Sequence, residues 1–275
     1  MTTVAKPRAE TGVRTEEAPL RWWREPRVWV RAVSLAGVLG AWEALGWTGA
    51  IRPSTFSYPS VIAGAFFSLL LSGEMLKAAY QSSQILGAGL AIAIPLGVVI
   101  GVLMGRSRPF EYAVDTFVYA FYATPVVALA FPIAMVLGVD FVGKTTIVVF
   151  FAIMPVIINV YHGVRNVDSA LLEVTRSFCS TEWQRWRDLI FPSVVPYLVA
   201  GLGMACGRAL VGMVVAEFLM SISGLGALSQ DYIGNLQMDK GLAPVVFLMI
   251  VGIILTKLVG FFESRFASWR TRSER

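Results

Sequence analysis

Histidine occurs once in the 275 residues, as His162, and cysteine twice, as Cys179 and Cys206. So few imidazole and thiolate ligands make no metal site. A nucleophile–base set for an intramembrane enzyme is missing for the same reason. Cys179 lies in a polar segment and Cys206 deep in an apolar run, so the pair implies no disulfide framework. Charge is scarce: Asp, Glu, Lys and Arg make up 15% of the chain, too little for the surface of a soluble domain this long. No Gly-x-x-x-x-Gly-Lys-Ser/Thr string occurs, so the chain cannot hydrolyse ATP alone. Residues 1–27 hold no short apolar region ending in small residues, and no signal peptide is expected.

What is abundant is apolar sequence. Hydrophobic residues make up 56% of the chain and the mean hydropathy is +0.67. Apolar runs of about 18 or more residues read as membrane helices, and six are visible, near 30–47, 82–104, 113–137, 145–161, 197–220 and 245–262. The fold class is therefore all-α, a polytopic membrane protein with six transmembrane helices. Residues 1–27 read as a polar tail, with Arg21, Trp22, Trp23, Arg24 and Trp29 as an interfacial anchor rather than a nucleic-acid contact. Residues 28–265 form the transmembrane domain and 266–275 a basic tail. Glu43 falls in the outer third of the first span, facing the surface or another helix.

Pro53 and Pro59 punctuate a loop, and Val61, Ala65, Phe66, Leu69 and Leu70 share one side of a short helix expected to lie on the membrane surface. In the second span Gly89, Ala93, Gly97, Gly101 and Gly105 recur every four residues, a stripe that admits another helix closely. Pro125 and Pro132 should kink the third span. Gly203 and Gly207 suggest close packing of the fifth, at a dimer axis.

Six spans put both termini on one side, and Lys and Arg choose which. That side carries seven of them up to Arg31, two in 106–111, four in 165–187 and four from Arg265, against Arg52, Lys77, Lys144 and Lys240 opposite. The bias places both termini and the 168–192 segment in the cytoplasm.

That segment, DSALLEVTRSFCSTEWQRWRDLIFP, is the longest polar stretch between apolar runs. Asp168 is placed to cap a helix from Ser169, with Leu171, Thr175 and Phe178 on one face. Thr181 and Gln184 have capping-box spacing for a second helix. Trp183, Trp186 and Ile190 follow at helical spacing, Arg185 and Arg187 suit lipid phosphates, and Pro192 is expected to end the element.

Here the chain resembles the permease subunits of binding-protein-dependent ABC importers. Their cytoplasmic loop is marked by Glu-Ala-Ala, three residues, Gly, nine residues, Ile, one residue, Leu-Pro. This chain has Glu173-Val174-Thr175, Cys179 at the glycine position, and Leu189-Ile190-Phe191-Pro192. Tyr161-His162-Gly163-Val164-Arg165-Asn166-Val167-Asp168, Pro53-Ser54, Tyr58-Pro59-Ser60, Gly207-Arg208-Ala209-Leu210, Val215-Ala216-Glu217 and Ser223-Gly224-Leu225-Gly226 are similar to stretches of the nitrate, sulfonate and taurine permeases. The resemblance covers residues 30–265.

It implies a type I ABC importer permease in the inner or cell membrane of a bacterium or archaeon. Such a chain pairs with a second permease copy, two ATPase subunits and an extracytoplasmic solute-binding protein. ATP and Mg²⁺ sit on the ATPase, and this chain binds no cofactor. The loop, 163–192, becomes the coupling element. Asp168, Leu171, Leu172, Glu173, Arg176, Phe178 and Cys179 form the ATPase contact, with Glu173 polar and the leucines and Phe178 apolar. Cysteine at the break is costly if the backbone there needs a positive φ.

Arg208 and Glu217 lie within the fifth span and must each face a partner or water. They are pathway candidates with Asn159 and Ser221, and Arg208 suits an anionic solute such as nitrate, a sulfonate or taurine. Packing against neighbouring helices is the other reading of both. An ion-gradient-driven secondary transporter is the alternative class. It favours inverted repeats and paired mid-membrane charges, and no clear repeat is seen.

Overall fold

The computed structural model describes residues 26–49, 56–220 and 223–267. The anchor at Arg21–Arg24, Pro53, Ser54, Ser221 and the end of the basic tail lie outside them. Residues 1–50 and 51–275 form separate compact units. In the first, α1 (Pro26–Trp47) is a helix of 22 residues. Glu43 accepts a hydrogen bond from Trp47 Nε1, one turn on, at 2.9 Å. The carboxylate thereby gains a hydrogen-bond donor within its own helix.

The second unit is all helix among its described residues: α2 (Pro59–Leu71), α3 (Glu74–Arg106), α4 (Arg108–Ala123), α5 (Val126–Leu137), α6 (Phe141–Arg165), α7 (Ser169–Ser177), α8 (Glu182–Arg185), α9 (Phe191–Met220), α10 (Leu225–Gly234) and α11 (Met238–Ala267). Among the described residues four helices are long and apolar enough to cross a membrane, or five if the bent pair α4–α5 is one span. The expected count of six is thus not met in full. α1 is long enough, but Arg31 and Glu43 sit within a mean hydropathy already modest.

The glycine stripe has a definite partner. Gly89, Ala93, Gly97 and Gly101 of α3 are buried against a row on α6 with the same four-residue spacing. A Cβ on Gly89 would stand 2.4 Å from Val148 Cγ1, one on Gly97 2.8 Å from Val156 Cβ, and one on Gly105 2.5 Å from Val164 Cβ. Each valine fills the space a side chain would take. In lipid, where apolar burial drives little, this close van der Waals fit holds the helices together. α6 is the central helix, with Val148, Ala152, Val156 and Val160 buried.

Three expectations need correction. The third span is not one kinked helix but two, bent by 101° between Ala123 and Val126. Pro125 has no N–H and biases Thr124 out of helical backbone, and Thr124 has ψ 134°. The short helix α2 does not merely lie on a surface: Ile62, Ala65 and Leu69 are buried, and Phe66 tilts against Phe247 of α11 at 6.4 Å. Pro192 does not end the element it closes in the sequence. Helix runs unbroken from Glu182 to Met220, 39 residues. A π-helical turn over Trp186–Ile190, with Phe191 N–H donating to the Trp186 carbonyl, widens the backbone where proline would otherwise clash.

Candidate coupling loop and pathway

α7 is built by its ends. Asp168 Oδ1 accepts from the Ala170 N–H at 2.8 Å, capping the first turn at the residue its spacing suggests. At the other end the Cys179 N–H donates to the Arg176 carbonyl at 2.9 Å and the Ser180 N–H to the Thr175 carbonyl at 3.0 Å. This pair of bonds is a Schellman cap, and Cys179 holds the left-handed position, φ 51°. Thr181 and Gln184 then complete the expected capping box, which starts α8.

None of α7's nine residues is buried. Leu171, Val174 and Phe178 form an exposed apolar stripe, and Phe178 is 80% exposed. Glu173 and Arg176 are exposed beside it, while Leu172 is half-buried. Thr175 turns inward and donates to the Leu172 carbonyl at 2.8 Å, so Val174 takes the place expected for it on the outer face. The next element sits differently. Arg106 lies over the Trp186 ring at 5.6 Å, whereas Trp183 is 74% exposed.

The pathway candidates separate. Glu217 is fully buried. Its Oε1 accepts from Ser82 Oγ at 2.7 Å and its Oε2 from the Gly226 N–H at 2.8 Å. Ser82 Oγ also accepts from the Leu225 N–H at 2.9 Å, and Gln81 Oε1 from the Gly224 N–H at 3.2 Å. Lys144, 1% exposed, donates to the Ser223 carbonyl at 3.0 Å and to its hydroxyl at 3.1 Å. A carboxylate, an ammonium and two polar side chains from α3, α6 and α9 thus hold the turn into α10. Glycine is required within it: Gly224 has φ 103°, and a Cβ there would stand 2.0 Å from Glu217 Oε1. This cluster was missed in the sequence, where Lys144 counted only as a charge and α10 was not foreseen. The signal was there, since two unlike charges at the outer ends of neighbouring spans have every reason to meet.

Arg208 is exposed on α9. Its guanidinium stacks over the Tyr122 ring at 4.7 Å and donates to the Tyr122 hydroxyl at 3.2 Å. Tyr122 closes α4, so Arg208 stands beside the break before α5, whose first turn has no side-chain cap. The Asn159 amide donates to the Pro155 carbonyl at 2.8 Å and reaches Met204 Sδ at 3.5 Å. Gly203 packs against Val259 while Gly207 has open space, and both line an apolar groove of about 570 Å³ between α9 and α11. On the α10 face the Glu74 carboxylate accepts from Tyr232 at 2.7 Å and pushes its phenol up to about 12. Among the described residues no group of three His, Cys, Asp or Glu is placed to hold a metal ion.

Comparison with known proteins places the chain among transport permeases. A permease protein assigned to aliphatic sulfonates transport in Bacillus subtilis, SsuC, is 29% identical over 90% of each chain. The nitrate import permease NrtB of Synechocystis is 26% identical over 91% of this chain and 94% of its own. The formylaminopyrimidine transport permease ThiX of Halalkalibacterium halodurans is 28% identical over 68% of this chain and 75% of its own. An amino acid ABC transporter crystallised with histidines shares the fold at a TM-score of 0.62, with 16% identity over 73% of this chain and 98% of its own. Residues 93–268 match the family described as the binding-protein-dependent transport system inner membrane component. The chain belongs to that family, and is a multi-pass permease subunit of an ABC importer.

Proposed function

We propose that this chain forms the translocation path for a small anionic solute and is driven through α7 by a separate ATPase. Two copies pair, each α7 docks on one ATPase subunit, and a binding protein delivers solute on the opposite face. Both termini and the 163–192 loop face the cytoplasm, where the basic residues concentrate. The observation that carries this reading is α7 itself. A nine-residue helix capped at both ends, none of it buried, presents Leu171, Val174 and Phe178 beside Glu173. A helix so well formed and so little used by its own chain is a surface for another protein.

The anionic solute is supported by Arg208, a cation held on an aromatic face beside a broken helix. Uncapped half-helix starts at membrane depth favour negative charge. The sulfonate and nitrate relatives point the same way.

The test is reconstitution of the chain with its ATPase and binding protein in liposomes. Uptake of labelled ethanesulfonate and nitrate should require ATP. A Glu173→Arg variant should assemble yet lose ATPase stimulation by the binding protein. ATP-independent uptake, or normal stimulation in that variant, would sink the reading; an ion gradient that drives uptake without ATP selects the secondary transporter.

A further inference from the structure

A second buried carboxylate lies at the other end of the membrane domain, and nothing described so far uses it. Glu111, in the first turn of α4, is 8% exposed. Its Oε1 accepts from the Tyr161 hydroxyl at 2.5 Å. Its Oε2 faces Arg165 Nη2 at 3.6 Å, within ion-pair range but with no hydrogen bond of its own. Tyr161 and Arg165 form the last turn of α6, and Arg165 is four residues before Ser169, where α7 begins. The carboxylate thus binds α4 to the last turn of α6, from which the chain passes into α7.

Between its ends α4 packs Phe110, Val114 and Val118 against Met104, Met154 and Ile157 of α3 and α6. Of its sixteen residues Glu111 and Val118 alone are buried. Its far end carries Tyr122, the residue that holds Arg208. Glu111 and Tyr122 are eleven residues apart, about 16 Å along a helix. A helix fastened at both ends offers a path by which displacement at one fastening reaches the other.

We propose that Glu111 is a positioning residue that makes α4 follow the coupling loop, so that movement of α7 reaches the Tyr122–Arg208 contact. This rests on α7 being the ATPase dock. The half-made pairing gives it two arrangements. One is the present single bond to Tyr161, and in the other Arg165 closes on Oε2.

The test uses the reconstituted transporter in nanodiscs, with Cys179 and Cys206 replaced by serine. Spin labels at Tyr119→Cys on α4 and Val99→Cys on α3, both exposed positions, report their distance with and without ATP and vanadate. The parent should show an ATP-dependent shift. In Glu111→Gln, which still accepts from Tyr161 but loses the ion pair, the ratio of shifted to unshifted population should fall about five-fold or more, the lower range of site-to-site coupling. Nucleotide trapping should persist. Tyr161→Phe should weaken the shift in the same direction, and decides alone if Glu111→Gln fails to assemble. A parent-like shift in both variants overturns the inference, as does a parent that traps nucleotide with α4 unmoved. Glu173→Arg is the control for the underlying reading. If it keeps a normal shift, α7 is not the dock, whatever Glu111 does.

Discussion

Cys179 sits where an L-residue pays a conformational penalty, at φ 51°. Left-handed backbone costs a side-chain-bearing residue about 1–2 kcal/mol, part of which glycine returns as entropy of the unfolded chain. Cys179→Gly should therefore stabilise the loop by about 1 kcal/mol. Chemical denaturation of the detergent-solubilised chain, followed by proteolysis within 169–181, would read it; a loop cleaved faster than in the parent would contradict the strain. Glu217 is the opposite case, a buried group that cannot be spared. Glu217→Ala strips acceptors from Ser82 and the Gly226 N–H and removes one of the carboxylates near Lys144, which should cost about 3 kcal/mol or more. Glu217→Gln keeps part of the network and should cost about 1 kcal/mol. Thermal unfolding would rank them, and equal losses would mean that the charge alone matters.

At the scale of elements, the α3–α6 contact rests on absent side chains. Gly97→Ala should destabilise by about 2 kcal/mol, as overpacking does, because the new methyl meets Val156 Cβ at 2.8 Å. Val156→Ala in the same chain should recover much of that loss, and a double-mutant cycle with no coupling would contradict the pairing. The sequence made the stripe legible, since spacing alone puts small residues on one face, but spacing names no partner. It also made the caps of α7 and α8 legible, because Asp168, Thr181 and Gln184 act on backbone groups within three residues. The continuity from Glu182 to Met220 was not legible. Pro192 argues locally for a stop, and only a π turn, which carries no residue signature, lets the helix pass. The cluster around Glu217 was legible only as unlike charges at neighbouring span ends, because its hydrogen-bond partners are 135 and 9 residues away.

For the whole molecule, the charge bias and the described helices make one joint prediction. Single cysteines at Phe178 and Leu236, exposed residues near opposite ends of the bundle, should react with a membrane-impermeant maleimide from opposite sides in a background with Cys179 and Cys206 replaced. Phe178→Cys should be protected in right-side-out vesicles and Leu236→Cys labelled; the reverse pattern would invert the topology. The length of one helix then sets a relation to the lipid itself. Thirty-nine residues from Glu182 to Met220 reach about 58 Å, against about 30 Å of hydrocarbon and about 45 Å with headgroups. The turns from Glu182 to Pro192 belong to the loop, so the helix stands proud of the bilayer by about three turns, and packing against α6 and α11 fixes its lean. The loop is thereby carried on a rigid stalk, at a reach from the bilayer that the length of the helix fixes.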